Sequence, residues 1–185
     1  MSKRIVILNG SPRPKGNTVG LIEAFKQGAE QAGHTVTVFN LQKMNIHPCL
    51  GCLKGGKDPQ SPCVQKDDMD KIFPMYEEAD ILVLASPMYY WSITAQLKAA
   101  LDRLFAVAEK EGDYRKLKKS CVMLMAAEGD TKENLEPVEH YYHALLNFLE
   151  WENLGEVYAG GVLNTGDIKG HPSLEKARQL GTSIQ

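Results

Sequence analysis

Long hydrophobic runs are missing from this sequence. The apolar stretch at residues 5–8 follows charged residues but is far too short for a signal-peptide core, and no later stretch approaches membrane-spanning length. A cytoplasmic protein with no membrane partner is expected. An excess of one charge is missing as well. The formal net charge is -2 and Lys and Arg are scattered, so there is no cationic field of the kind a phosphate backbone needs, and nucleic acid is not an expected partner. Cysteine is sparse, at four residues in 185. Without a secretory signal, that number argues for free thiols, a metal site or redox chemistry rather than a disulfide scaffold. No internal repeat or low-complexity stretch is present, and no nucleophile-base pair suggests hydrolysis or acyl transfer.

What is there is an ordinary globular balance, 43% hydrophobic and 24% charged, in a chain long enough for one substantial core and short of the length at which chains usually divide. One domain over residues 1–185 is expected. The run Arg4-Ile5-Val6-Ile7-Leu8-Asn9, ended by Gly10, has the continuous apolar character of a central parallel strand buried on both faces. Asn17 or Thr18 can cap a helix whose residues Val19, Leu21, Ile22, Phe25 and Ala29 share a face, and which stops near Gly33. Thr35-Val36-Thr37-Val38-Phe39-Asn40 alternates and is β-branched, as a strand nearer an edge would be.

A polar insertion at about 41–67 carries Pro48, Pro59, Pro62 and several glycines; a loop of that length in a compact domain usually has a task. Alternation then resumes. Helices are expected over about 68–78, 94–108, 135–151 and 172–180, and strands over 81–85, 121–126 and about 157–163, for five strands and five helices. Regular β/α alternation implies a parallel sheet with right-handed crossovers and helices on both faces. Ligands of such sheets sit beyond the carboxyl ends of the strands, where strand order reverses.

Three loops lie in that place. After strand one, Gly10-Ser11-Pro12-Arg13-Pro14-Lys15-Gly16-Asn17-Thr18 offers amides, hydroxyls and a cation at the start of a helix, where a phosphate would be favoured. It matches neither the Walker loop nor the three-glycine dinucleotide fingerprint, and a Gly/Pro-rich surface turn is the plain alternative. After strand three, Ser86-Pro87-Met88-Tyr89-Tyr90-Trp91-Ser92 places three successive aromatics near solvent, suited to a planar heterocycle, to the rim of the sheet or to a dimer surface. After strand four, Ala126-Ala127-Glu128-Gly129-Asp130 allows a tight turn whose backbone can meet a ring edge.

Together these loops resemble the FMN site of the NADPH-dependent FMN reductase family, a branch of the flavodoxin-like flavoproteins. Gly10-Ser11-Pro12-Arg13 with Gly16-Asn17-Thr18 resembles the family's phosphate loop, and Ser86-Pro87-Met88-Tyr89-Tyr90 leading to Gln96-Leu97-Lys98 and Asp102-Arg103 resembles its second flavin loop. The resemblance spans nearly the whole chain. It implies a flavodoxin-like three-layer α/β sandwich with a five-stranded parallel sheet in the order 2-1-3-4-5. It implies that Ser11, Arg13, Gly16, Asn17 and Thr18 hold the FMN phosphate, that Pro87, Met88, Tyr89, Tyr90 and Trp91 line the isoalloxazine, and that Ala127, Glu128, Gly129 and Asp130 meet its other edge. The implied activity is oxidation of NADPH or NADH through bound FMN, with electrons passed to a flavin, a quinone or another small acceptor. A flavodoxin-type carrier of single electrons is the rival reading, and the weak net charge offers no acidic docking surface for it. No catalytic acid or base can be named, and a homodimer or homotetramer is expected.

The insertion also holds Cys49-Leu50-Gly51-Cys52 and, ten residues on, Cys63. This resembles the iron-sulfur flavoproteins, relatives of the reductases that hold a cubane cluster on four closely spaced cysteines. Gly55 stands where that pattern has its third cysteine, and Cys121 lies in an apolar strand pattern as a core residue would. Three readings follow: an iron-sulfur centre, zinc on His47, Cys49, Cys52 and Cys63, or a metal-free loop serving as lid or dimer element beside the flavin. The last is the expectation, with no metal site. Asp102 and Arg103 read as a structural pair, and His140 and His143 as surface residues.

Overall fold

The computed structural model describes every residue except 57, 59, 60 and 110–116, and the side chain of Glu109. Pro59 of the insertion therefore lies outside the described residues. Five strands form one parallel sheet: β1 (Arg4–Asn9), β2 (Thr35–Asn40), β3 (Ile81–Pro87), β4 (Ser120–Ala126) and β5 (Glu152–Ala159), in the order β2-β1-β3-β4-β5. The helices are α1 (Asn17–Gln31), α2 (Met69–Glu78), α3 (Ala95–Arg103), α4 (Phe105–Glu109), α5 (Lys132–Leu149) and α6 (Pro172–Thr182).

The period of two along the buried strands sorts their side chains onto two faces. Val6, Leu8, Leu82, Leu84, Met123 and Met125 pack with residues of α2, α3, α4 and α5. Ile5, Ile7, Val83, Ala85, Val122 and Leu124 pack with α1 and α6. Both faces of the three central strands are covered, which is why these strands read as unbroken apolar runs. Helices α1 and α6 approach closely because Gly28 and Gly181 face the neighbouring backbone. A Cβ on Gly28 would lie 2.0 Å from the Arg178 carbonyl oxygen, and one on Gly181 2.2 Å from that of Phe25.

Two elements differ from expectation. The helix expected over 94–108 is two, because a tight turn at Leu104, whose amide bonds the Leu101 carbonyl, separates α3 from α4. This makes six α-helices among the described residues instead of five. The last strand spans Glu152–Ala159 rather than about 157–163. Its first half is polar because it is an edge strand, where Glu156 accepts bonds from His143, Asn153 and Tyr158. Periodicity alone gives such a segment no strand signal.

Candidate functional site

Strand order reverses between β1 and β3, and the chain there is locked by close contacts. The Gly10 amide donates to the Ala85 carbonyl at 2.8 Å, and Thr94 Oγ1 donates back to the Gly10 carbonyl at 2.9 Å. A Cβ at Gly10 would meet Thr94 Oγ1 at 2.6 Å and Leu97 Cβ at 2.7 Å. Only glycine lets the first loop lie this close to α3. On the other side, the Ala127 amide bonds the Ala159 carbonyl at 2.8 Å and the Val162 amide bonds the Ala127 carbonyl at 2.9 Å, so the loops after β4 and β5 are joined.

These loops enclose a cavity of about 180 Å³ beyond the carboxyl ends of β1, β3 and β4. Ser11, Arg13, Gly16, Asn17, Thr18, Pro87, Met88, Tyr89, Ala127 and Glu128 all line it. Ala126, Val162 and Leu163 line it too; no sequence motif marked the last two, which arrive from beyond β5. Tyr90, Trp91, Gly129 and Asp130 are not among its lining residues. Tyr90 and Trp91 instead form the tip of a two-residue turn closed by reciprocal bonds between Tyr89 and Ser92, at 3.0 and 3.1 Å. Both have left-handed backbones, with φ of 49° and 58°, which turns the rings outward: Tyr90 is 95% exposed and Trp91 54%.

Helix α1 begins at this cavity without a side-chain cap on Gly16. Its first-turn amides, those of Asn17 and Thr18, have no intrahelical partner by construction. The Thr18 hydroxyl is buried, at 1% exposure, and no acceptor or donor for it is found among the described residues. A buried unpartnered hydroxyl beside free helix amides is costly unless a ligand supplies the partner, and an anion is the partner the helix dipole favours.

The neighbouring polar groups have other duties. Asn17 holds the loop after β5, donating to the Asn164 carbonyl at 3.0 Å and accepting from the Gly166 and Ile168 amides at 3.3 Å. Arg13 donates to the Leu163 carbonyl at 2.8 Å. The Asn17 side chain is therefore committed to protein, leaving its amide for a ligand, while Arg13 is exposed and keeps donors to spare.

A larger hollow of about 970 Å³ lies at the opposite end of the sheet, among Arg4, Asp80, Lys119 and Glu152. Lys119 there donates to the Ala79 carbonyl at 2.6 Å and sits 4.8 Å from the Tyr76 ring centre, closing the end of α2. Burial pushes its ammonium down to about 8. The amino ends of parallel strands are not where such sheets bind cofactors.

The comparison with protein families decides which family the chain belongs to. A family model described as NADPH-dependent FMN reductase matches residues 3–161. The chain belongs to that family. This FMN reductase family member is an FMN-dependent NAD(P)H oxidoreductase. It is similar to an iron-sulfur flavoprotein of Archaeoglobus fulgidus, 33% identical over 95% of this chain and 76% of that protein. It is similar also to an iron-sulfur flavoprotein of Methanocaldococcus jannaschii, 25% identical over 98% and 95% of the two chains. Among solved structures, an NAD(P)H:quinone oxidoreductase from Methanothermobacter marburgensis shares the fold, with a TM-score of 0.78 at 24% identity over 98% and 96% of the chains. The uncapped start of α1 and the buried Thr18 hydroxyl suit the phosphate of FMN.

An iron-sulfur cluster fits this reductase less well. Gly55 supplies no ligand, Cys121 is wholly buried in the core with its thiol pushed up to about 12 by burial, and Cys49 and Cys52 are exposed. Among the described residues no group of three or more His, Cys, Asp or Glu side chains is arranged to hold a metal ion. None of the insertion's cysteines lines the cavity beyond the strand ends, so the loop is not a lid over it. Cys49, Cys52 and Cys63 lie instead against Asp102, Arg103 and Phe105, where α3 ends and α4 begins. Arg103 does not pair with Asp102, which bonds Lys98 at 2.7 Å. It reaches Asp67 across the insertion, so the two adjacent charges serve different neighbours. His140 and His143 are exposed, near Glu136 at 3.8 Å and Glu156 at 2.6 Å respectively.

Proposed function

We propose that this reductase holds the FMN phosphate with the Asn17 and Thr18 amides, the Thr18 and Ser11 hydroxyls and the Arg13 guanidinium, and that Pro87, Met88, Tyr89, Ala127 and Glu128 border the isoalloxazine. The observation that carries this reading is the buried Thr18 hydroxyl without a protein partner at an uncapped helix start. Bound FMN supplies two-electron acceptance from a nicotinamide and its return to a second substrate. The chain's part is placement. The β1 and β3 loops, fixed to each other through Gly10, Ser86 and Thr94, hold the pocket walls at a set spacing. Tyr90 and Trp91, thrown outward by their left-handed turn, leave one side of the pocket open and frame it with flat apolar rings, against which a nicotinamide and then a planar acceptor can lie.

The acceptor class that suits such a rim is a quinone or another flat conjugated compound. Tyr90, Trp91 and Leu163, all exposed around the mouth, also favour a homodimer in which a second copy covers part of this rim. Four free thiols suit a cytoplasmic setting. The deciding experiment is anaerobic mixing of the FMN-loaded protein with excess NADPH or NADH. Direct bleaching of the flavin, followed by many turnovers on adding a benzoquinone, is expected. Reduction only by stepwise chemical titrants, with no response to either nucleotide, would identify a single-electron carrier instead.

A further inference from the structure

The flavin reaction leaves three cysteines of the insertion without a role. Cys49, Cys52 and Cys63 border one small hollow of about 30 Å³ over the end of α3, and none of the residues lining it lines the flavin cavity. The three sulfurs are not equivalent. Cys63 is half-buried, and its Sγ accepts from Arg103 Nε at 3.2 Å, a guanidinium itself fixed by Asp67 and by the His47 carbonyl. Cys49 and Cys52 are exposed and separated by two residues. The chain between and after them folds back through left-handed conformations at Gly51 (φ 61°) and Leu53 (φ 52°), and the Gly51 amide points at Cys49 Sγ from 3.4 Å. An amide donor of this kind bonds best to a sulfur carrying negative charge.

We propose that Cys49 and Cys52 form a dithiol/disulfide couple that exchanges directly with small disulfides in solution. A loop that offers three sulfurs, with Gly55 between Cys52 and Cys63, still provides two accessible thiols at the spacing of a redox pair. The Cys49 thiolate attacks one sulfur of a low-molecular-weight disulfide; that S–S bond breaks and one thiol leaves with a proton. The Cys52 thiolate then attacks Cys49 of the mixed disulfide, forming the Cys49–Cys52 bond and releasing the second thiol. The protein loses two electrons and two protons, and the small disulfide gains them. Cys63, held by Arg103, and Cys121, in the core, take no part.

The test uses the full-length FMN-loaded protein equilibrated without oxygen in glutathione buffers of graded oxidation, then acid-quenched, alkylated and mapped by mass spectrometry. The expected result is a Cys49–Cys52 link whose population follows a single two-electron transition, changing tenfold in its oxidised-to-reduced ratio for each tenfold change in the buffer ratio at fixed reduced glutathione. Cys63 and Cys121 should remain alkylated throughout, and FMN removal should leave the transition where it was. Cys52→Ser should accumulate glutathione on Cys49. Separate glutathione adducts on Cys49 and Cys52 with no link at any ratio would overturn the proposal, as would stoichiometric iron or zinc that shields both thiols from alkylation in the purified protein. The wild-type titration decides the matter even if a variant fails to fold.

Discussion

Arg103 and Asp67 form a two-pronged ion pair, with N–O distances of 2.7 and 3.1 Å, in which neither side chain is more than 1% exposed. The Arg103 donors also reach the His47 and Gln65 carbonyls and Cys63 Sγ, so one buried cation on α3 ties down the returning ends of the insertion. A guanidinium suits this task because its planar donors can serve several acceptors at once.

Removing one partner strands the other charge in the interior. Asp67→Asn is expected to lower unfolding free energy by about 3–5 kcal/mol, read by urea denaturation. Burial alone would raise the Asp67 carboxyl, but bonds from Arg103 and from the His47 and Met69 amides outweigh it and hold the group below the usual carboxylate range. A lowered folded value means that Asp67 stabilises the fold fully above its unfolded value of 3.8. The contribution falls away as pH drops from there through the folded value. Wild type should lose its advantage over Asp67→Asn in that acid window, and a constant difference down to the lowest pH would refute the assignment.

Thr18→Val keeps the shape of the side chain and removes the unpartnered hydroxyl. If that hydroxyl meets the FMN phosphate, affinity for FMN should fall by about 1.5–3 kcal/mol, and affinity for riboflavin should not change. Arg13→Ala should discriminate in the same direction. Flavin fluorescence titration measures both; equal losses for the two flavins would remove the phosphate from this loop.

The Tyr90–Trp91 turn carries backbone strain on two non-glycine residues. Replacing the pair by Asn-Gly, which accepts both left-handed conformations, should stabilise the protein by about 1 kcal/mol or more. Hydride transfer from NADPH should slow in the same variant while FMN stays bound, because these rings frame the open face and do not line the cavity. An unchanged reduction rate in stopped-flow would show that the aromatic tip takes no part in nicotinamide placement.

Gly28→Ala places a methyl against the Arg178 carbonyl. Backbone cannot yield as a side-chain tip can, so α1 and α6 must separate, at a cost of about 1–3 kcal/mol or more. Thermal unfolding should show this without any change in the FMN spectrum. Full stability would mean that the two helices pack less tightly than their contact implies.

The sequence by itself determined the parallel sheet, most helices and the three loops that border the cavity beyond the strand ends. Buried strands and amphipathic helices leave local periods, and helix starts and tight turns have local residue preferences. Local pattern placed the loops at the strand ends, and the family resemblance singled out Ser11, Thr18, Pro87, Met88, Tyr89, Ala127 and Glu128 within them, all of which line the cavity. The polar edge strand β5 and the break at Leu104 escaped because neither has a distinct period. Only the tertiary structure decided that Arg103 pairs with Asp67 and not with its neighbour Asp102, that the Asn17 side chain clamps the loop at residues 164–168, that Tyr90 and Trp91 turn outward, and that the cysteine loop lies over the end of α3 and away from the cavity beyond the strand ends. Each of these depends on which of several chemically suitable partners folding brings within hydrogen-bond reach, across 36 residues for Arg103 and about 150 for Asn17. Local sequence carries no record of that choice, because a charge or an amide has the same propensities whichever distant group it meets.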